Sequence, residues 1–157
     1  MANNVRAASP SDVPILVQLM EEFYRESNYP LDRLWASNSF RTLLSDSSRG
    51  SVWLLSRDDE AVGYVVLTVR FSMEHGGLDA FIDDLFVRAE HRRRGIATAA
   101  LNALFAECGR RRVLALHVEA GRDNIAANSL YASFGLRART DHRQLLTVAL
   151  PLKNAGA

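Results

Sequence analysis

The chain predicts an α/β (α+β) fold, with a mixed, mostly antiparallel central sheet of six to seven strands flanked by about four helices. Three observations carry that expectation. β-Branched and aromatic residues crowd 51–56 and 61–71 around the polar Arg57-Asp58-Asp59-Glu60 turn, which reads as an antiparallel hairpin. Apolar residues recur at helical spacing in several other segments. Over residues 80–134 the order is strand, helix, strand, helix, which implies a right-handed crossover and two buried parallel strands side by side.

Element by element, residues 5–8 read as a short first strand. Ser9-Pro10-Ser11-Asp12 then supplies helix-start chemistry, and Ile15, Leu19 and Glu22/Phe23 carry the helical spacing to about Ser27. Asn28-Tyr29-Pro30 breaks that helix. Leu31, Leu34, Trp35, Phe40, Leu43 and Leu44 predict a second helix ending near Asp46. After the hairpin, residues 73–79 read as a glycine-bearing loop. Residues 80–87 predict a strand, 95–109 a helix, 113–118 a nearly all-apolar strand and 124–134 another helix. Residues 136–140 and 144–150 read as a closing hairpin whose edge is open to pairing with a second copy, so a homodimer is permitted.

At 157 residues, 48% apolar and 24% charged, the chain has room for one substantial core, so 1–157 reads as one domain. No apolar run approaches the roughly 20 residues a membrane span needs, and the polar start lacks a signal core, so a cytoplasmic, membrane-free protein is expected. The single cysteine, Cys108, excludes an internal disulfide. Net charge is only +1, yet it is polarised: seven arginines face thirteen acids over residues 1–87, and eleven arginines face five acids over 88–143. A basic second half suits a phosphate-bearing ligand, and an acidic first half a cationic substrate. Eighteen arginines against one lysine point to a GC-rich, bacterial genome.

The most informative segment is Arg92-Arg93-Arg94-Gly95-Ile96-Ala97, between a strand and a helix whose apolar face holds Ala97, Leu101, Leu104, Phe105 and Cys108. At a helix start the first amides have no intrahelical partner and lie at the positive end of the dipole, so an anion is favoured there. Small residues at Gly95 and Ala97 admit the anion closely. Three arginines alone would better suit a solvated loop or a nucleic-acid patch; the small residues and the strand-to-helix context favour a pyrophosphate.

This segment resembles the Arg/Gln-x-x-Gly-x-Gly/Ala signature of the GNAT superfamily of N-acetyltransferases, with Ile82-Asp83-Asp84-Leu85-Phe86-Val87 as its preceding strand. A second match, Asn124-x-x-Ala127-x-x-Leu130-Tyr131-x-x-x-Gly135, follows at the expected distance. The run from Gly76 to Leu85 is similar to the subgroup related to histone and polyamine acetyltransferases. Leu136 and Arg88-Ala89 depart from the usual phenylalanine and residue-proline pair without removing a reactive group. The resemblance implies acetyl-coenzyme A between two splayed parallel strands, with its pyrophosphate on the amides of 93–98, which include Thr98. Its pantetheine arm would pair with backbone at Leu85, Phe86 and Val87, and Asn124 and Ala127 would contact it from the second helix.

An alkylamine with a pKa of about 10 needs a proton acceptor before it attacks a thioester. Asp83 and Asp84 are the candidates, and strand alternation sends them to opposite faces unless the strand is bulged. Asp83 matches the catalytic carboxylate of spermidine/spermine N-acetyltransferases and is the expected base, with Asp84 beside it. Tyr131 lies two helical turns beyond Asn124, on nearly the same face, and by resemblance protonates the departing thiolate. A backbone N–H near Val87 is the expected oxyanion donor. Tyr29 and Glu74, in loops flanking the site, are candidate substrate contacts with Asp83. Cys108 lacks an adjacent histidine and reads as packing. His75, His91, His117 and His142 show no metal-ligand spacing, so no metal is expected. The expected substrate is a primary amine on a small molecule or peptide. Two rivals are a non-catalytic acyl-coenzyme A sensor and a basic nucleic-acid-binding domain, the second lacking any recognition motif.

Overall fold

The computed structural model describes residues 2–150. A first strand, β1 (Asn3–Ala7), leads through a short 3-10 turn at Pro10–Asp12 into α1 (Val13–Glu26) and then α2 (Arg33–Ser45). Asp12 ties that entry: it accepts from the Ser9 amide at 2.8 Å and from both terminal nitrogens of Arg6 at 2.8 Å. Arg6 therefore holds the Asp12 carboxyl well below the usual carboxylate range. Asp32 caps α2 by accepting from the Trp35 amide at 3.0 Å.

Strands β2 (Gly50–Arg57), β3 (Glu60–Ser72) and β4 (Gly77–Val87) form an antiparallel meander, and β1 joins its outer edge antiparallel to β2. α3 (Ile96–Arg111) then crosses over to β5 (Ala115–Val118), which pairs parallel to β4, and α4 (Ile125–Ser133) follows. The sheet order is β1-β2-β3-β4-β5. One face carries α3, with Ile96, Ala100, Leu101 and Leu104 packed on Leu55, Val65, Leu67, Ala80 and Ile82. The other carries α1 and α2, with Leu16, Leu19, Met20 and Phe40 packed on Val52, Leu54, Tyr64 and Phe86.

Two expectations are corrected. The 73–79 loop shrinks to a tight turn, because β4 begins at Gly77 and pairs Gly77 through Ala80 with β3. The sheet has five strands among the described residues, not six to seven, because 136–140 and 144–150 form no hairpin. β5, only four residues long, offers them a short edge. The segment's own apolar residues bury little: Leu145, Leu146 and Val148 are at least three-quarters exposed. Arg139 and Arg143 instead reach Asp141 and Glu74. No helix among the described residues is long and apolar enough to cross a membrane.

Candidate active site

The parallel pairing of β4 with β5 runs only from Asp79↔Ala115 to Ile82↔Val118. Beyond that point β4 keeps β3 on one side, and among the described residues it has no strand on the other. The backbone of 83–87 is thus open along one edge. A cleft of about 490 Å³ lies there, lined by Leu85, Phe86 and Val87 from β4, by Arg92, Arg93 and Gly95 to Thr98 at the start of α3, and by Asn124, Ala127, Leu130 and Tyr131 from α4. Phe23 and Glu26 of α1, with Ser27 just beyond its end, close its remaining wall.

The α3 entry is built for close approach. Gly95 has φ 78° and Arg93 φ 61°, both left-handed, a conformation that turns successive amides into a concave anion-binding arc. The first helical amide with a partner is Ala99, which donates to the Gly95 carbonyl at 3.0 Å; those of Ile96, Ala97 and Thr98 precede it and have no acceptor within the helix. Arg92 is spent on architecture: its Nε donates to the Val87 carbonyl at 2.8 Å and its Nη2 to Glu26 at 2.7 Å. Arg88 similarly clamps Glu22 at 2.8 Å. Arg94 does not line the cleft; its carbonyl accepts from Asn3 Nδ2 at 2.8 Å. Asn124 caps α4 by accepting from the Ala127 amide at 3.1 Å. The Tyr131 hydroxyl is raised above its ordinary pKa by burial, so it keeps its proton at neutral pH.

The two aspartates fall on one face, because β4 is bulged where the sequence left the question open. Val66 pairs with Asp84 and Leu67 with Ile82, which leaves Asp83 without a partner in register. Ile82 and Leu85 both pack toward α3, so the two residues between them turn to the α1 side. Asp83 is exposed at its tip, yet surrounding protein, followed by the charge of Glu119, pushes its carboxyl up. Asp84 is half-buried and pushed up to about 6: burial raises it most, the Tyr64 hydroxyl donating at 2.9 Å opposes that, and Asp83 adds to it. Neither aspartate lines the cleft with Tyr131.

The proposed substrate contacts are more dispersed. Tyr29 is two-thirds exposed and meets Tyr24 edge to face at 6.4 Å, while Glu74 is engaged by Arg143 at 3.0 Å. Cys108 is buried and its thiol is pushed up, which leaves it inert as a nucleophile. Sequence spacing missed several residues. Tyr64 reaches Asp84 only through cross-strand packing, its hydroxyl donating at 2.9 Å. His75, Asp79 and His117 likewise converge, with ligand atoms within 4.8 Å, from a turn and two strands that are distant in sequence. Asp79 there is already held by Arg70 at 2.8 Å and His117 at 2.9 Å.

This arrangement coincides with a family match: the acetyltransferase (GNAT) family model covers residues 15–136. The chain belongs to the GNAT acetyltransferase family. Among solved structures, an integron cassette protein from the mobile metagenome of Cole Harbour Salt Marsh is 41% identical, with 94% of this chain and 90% of that one covered at a TM-score of 0.84. A possible acetyltransferase from Clostridium difficile 630 shares the fold at 20% identity, with 96% and 100% covered and a TM-score of 0.79. So does an aminoglycoside acetyltransferase from an uncultured soil metagenomic sample, at 23% identity, with 98% and 100% covered and a TM-score of 0.73. Among curated proteins none matches.

Proposed function

We propose that this GNAT acetyltransferase moves an acetyl group from acetyl-coenzyme A to a primary amine by direct attack. The observation that carries the reading is the cleft at the open edge of β4, which joins unpartnered backbone, the free amides of α3 and the Tyr131 hydroxyl in one wall. The amides of 93–98 suit a pyrophosphate, and the free edge of 85–87 suits an amide-bearing arm. Acetyl-coenzyme A supplies an activated thioester carbonyl. The chain's own groups then have three tasks: to take a proton from the incoming ammonium, to stabilise the oxyanion and to protonate the leaving sulfur.

The first task falls to the Asp83-Asp84 pair. Asp83, the exposed member, meets the amine directly or through water; Asp84, poised near neutrality, tunes it and shares the proton. A backbone N–H near Val87 serves the oxyanion. As the C–N bond forms and the C–S bond breaks, Tyr131 gives its proton to sulfur; the second proton that the nitrogen sheds on becoming an amide returns to the tyrosinate through water, so the turnover releases the one proton taken by the aspartates. The soil aminoglycoside enzyme, with the same fold, makes a small-molecule amine a reasonable acceptor. Composition suits a bacterial cytoplasm.

Thiol release from acetyl-coenzyme A across polyamines, amino acids, aminoglycosides and lysine peptides tests the reading, with Tyr131→Phe and Asp83→Asn beside wild type. Amine-dependent release that falls in both variants is the expected outcome. Coenzyme A binding without any turnover would favour a sensor, and no binding would end the proposal.

A further inference from the structure

We infer that His75, Asp79 and His117 form a binding site for a zinc-class divalent cation, which clips the β3–β4 turn to β5. The inference goes beyond the acetyltransferase reading and does not depend on it.

The donors come from a turn and two strands, so ligand spacing along the sequence does not reveal them. Asp79 and Phe81 pair with Ala115 and His117 in the parallel stretch of β4 and β5, which sets the carboxylate and the His117 imidazole on one face. The His117 ring lies 4.8 Å from that of Phe81, and its Nε2 is 2.9 Å from Asp79 Oδ2. His75 arrives from the turn between β3 and β4. That turn is fixed by the Gly76 amide, which donates to the Ser72 carbonyl at 2.9 Å, and by the His75 amide, which donates to Ser72 Oγ at 3.3 Å. The His75 ring thus stands 6.0 Å from that of His117, and one donor atom from each of the three residues lies within 4.8 Å of the other two.

Two imidazoles and a carboxylate suit a borderline cation such as Zn²⁺, whereas Mg²⁺ and Ca²⁺ prefer oxygen alone. With bonds of about 2.0 Å, donors in a tetrahedral zinc site stand about 3.3 Å apart. Closing up from at most 4.8 Å asks only for a rotation of His75, the exposed member. The ion takes the position between His117 Nε2 and Asp79 Oδ2, where a hydrogen bond now runs, and a water completes four-coordination. Asp79 is wholly buried, and Arg70 donates from Nε to Oδ1 at 2.8 Å and from Nη2 to Oδ2 at 3.0 Å. Arg70 holds the carboxyl below the usual carboxylate range against the effect of burial, so it is ionised as a ligand must be. A carboxylate offers about four lone-pair sites, so Arg70 keeps Oδ1 and orients the ligand while Oδ2 turns to the ion.

The test titrates the full chain, stripped with a chelator and desalted, with zinc chloride in a calorimeter, beside magnesium chloride as the comparison. The zinc titration is repeated for His75→Ala, His117→Ala and His142→Ala. One zinc ion binds each wild-type chain at micromolar concentration, and magnesium does not compete. Loss of an outer partner of a metal site commonly costs about 10–100-fold in affinity, so loss of either imidazole ligand weakens zinc binding by about tenfold or more. His142 is exposed and outside the cluster, and His142→Ala leaves the affinity unchanged. Zinc also raises the Tm of wild type by several degrees and that of His75→Ala hardly at all. Should His117→Ala fail to fold, His75→Ala, altered only in an exposed side chain, decides the matter. No zinc binding by wild type, an affinity that His75→Ala leaves intact, an equal loss in His142→Ala, or magnesium bound as tightly as zinc overturns the inference. None of these outcomes bears on acetyl transfer, which is read separately.

Discussion

At the scale of single residues, burial raises the pKa of Tyr131, Asp83 and Asp84 alike, and it brings the titration of Asp84 to about 6. Tyr131→Phe removes the proposed acid while keeping the ring that packs against the α3-side core, so kcat should fall by about 10²-fold with coenzyme A affinity little changed, as steady-state kinetics and calorimetry will report. Asp84 makes a prediction of opposite sign for stability. Its folded pKa, about 6, lies above the ordinary carboxylate value, so the folded state binds the proton more tightly; stability is full at acid pH and is lost as pH rises through about 6. Asp84→Asn should therefore stabilise the protein by about 1–2 kcal/mol at pH 8, after screening at a half-buried site, and by little at pH 4, as denaturant melts at the two pH values will show. The same variant should remove the rise in rate expected of wild type through pH 6. Part of this level was legible in sequence: Gly95, Ala97, Asn124 and Tyr131, singled out by their motifs, line one cleft, whereas Asp83 and Asp84 do not. The environment of Asp84 was not, because Tyr64 lies 20 residues away and meets it only across the β3–β4 register.

Elements position these groups, and here the sequence was informative in the interior and silent at the edges. Helices with a clear apolar stripe fell close to their expected bounds, since burial of that stripe is a local consequence of spacing. The bulge at Asp83 left no such trace, because it depends on how two strands align. The closing hairpin failed for a related reason: β propensity at 144–150 needs a partner edge, and β5 is short. Gly63 tests how tightly the element that opens the cleft is held. It lies opposite Val87, and an added Cβ would stand 2.2 Å from the Phe86 carbonyl oxygen. Gly63→Ala must push β3 off β4, at a cost of about 1–3 kcal/mol in chemical denaturation, and should weaken coenzyme A binding because Phe86 and Val87 line the cleft. An alanine at the open Gly76 turn meets no atom within 4 Å and serves as a control for added bulk, apart from the strain of its positive φ.

Across the whole molecule, the polarised charge seen along the chain resolves into two sides of one sheet edge. Left-handed turns and helix-start amides at the entry to α3 favour an anion, while the bulge in β4 carries the Asp83 and Asp84 carboxylates. Of the arginines that looked like phosphate ligands, Arg92 turned out to be a strut: with Arg88 it lashes the β4-to-α3 connection to α1. Ligand binding across that connection should stabilise the fold as a unit. Coenzyme A at about 100 times its Kd should add about 2.7 kcal/mol and raise Tm by several degrees, as a thermal melt will report.

The most direct test of the central claim is mass spectrometry of the amine after incubation with acetyl-coenzyme A and the enzyme. The account predicts an amine that gains one acetyl group, in step with the thiol released and far more slowly with Tyr131→Phe. Thiol release with no acetylated amine across the whole panel would mean that the cleft hydrolyses the thioester instead of transferring its acetyl group, and would contradict the account.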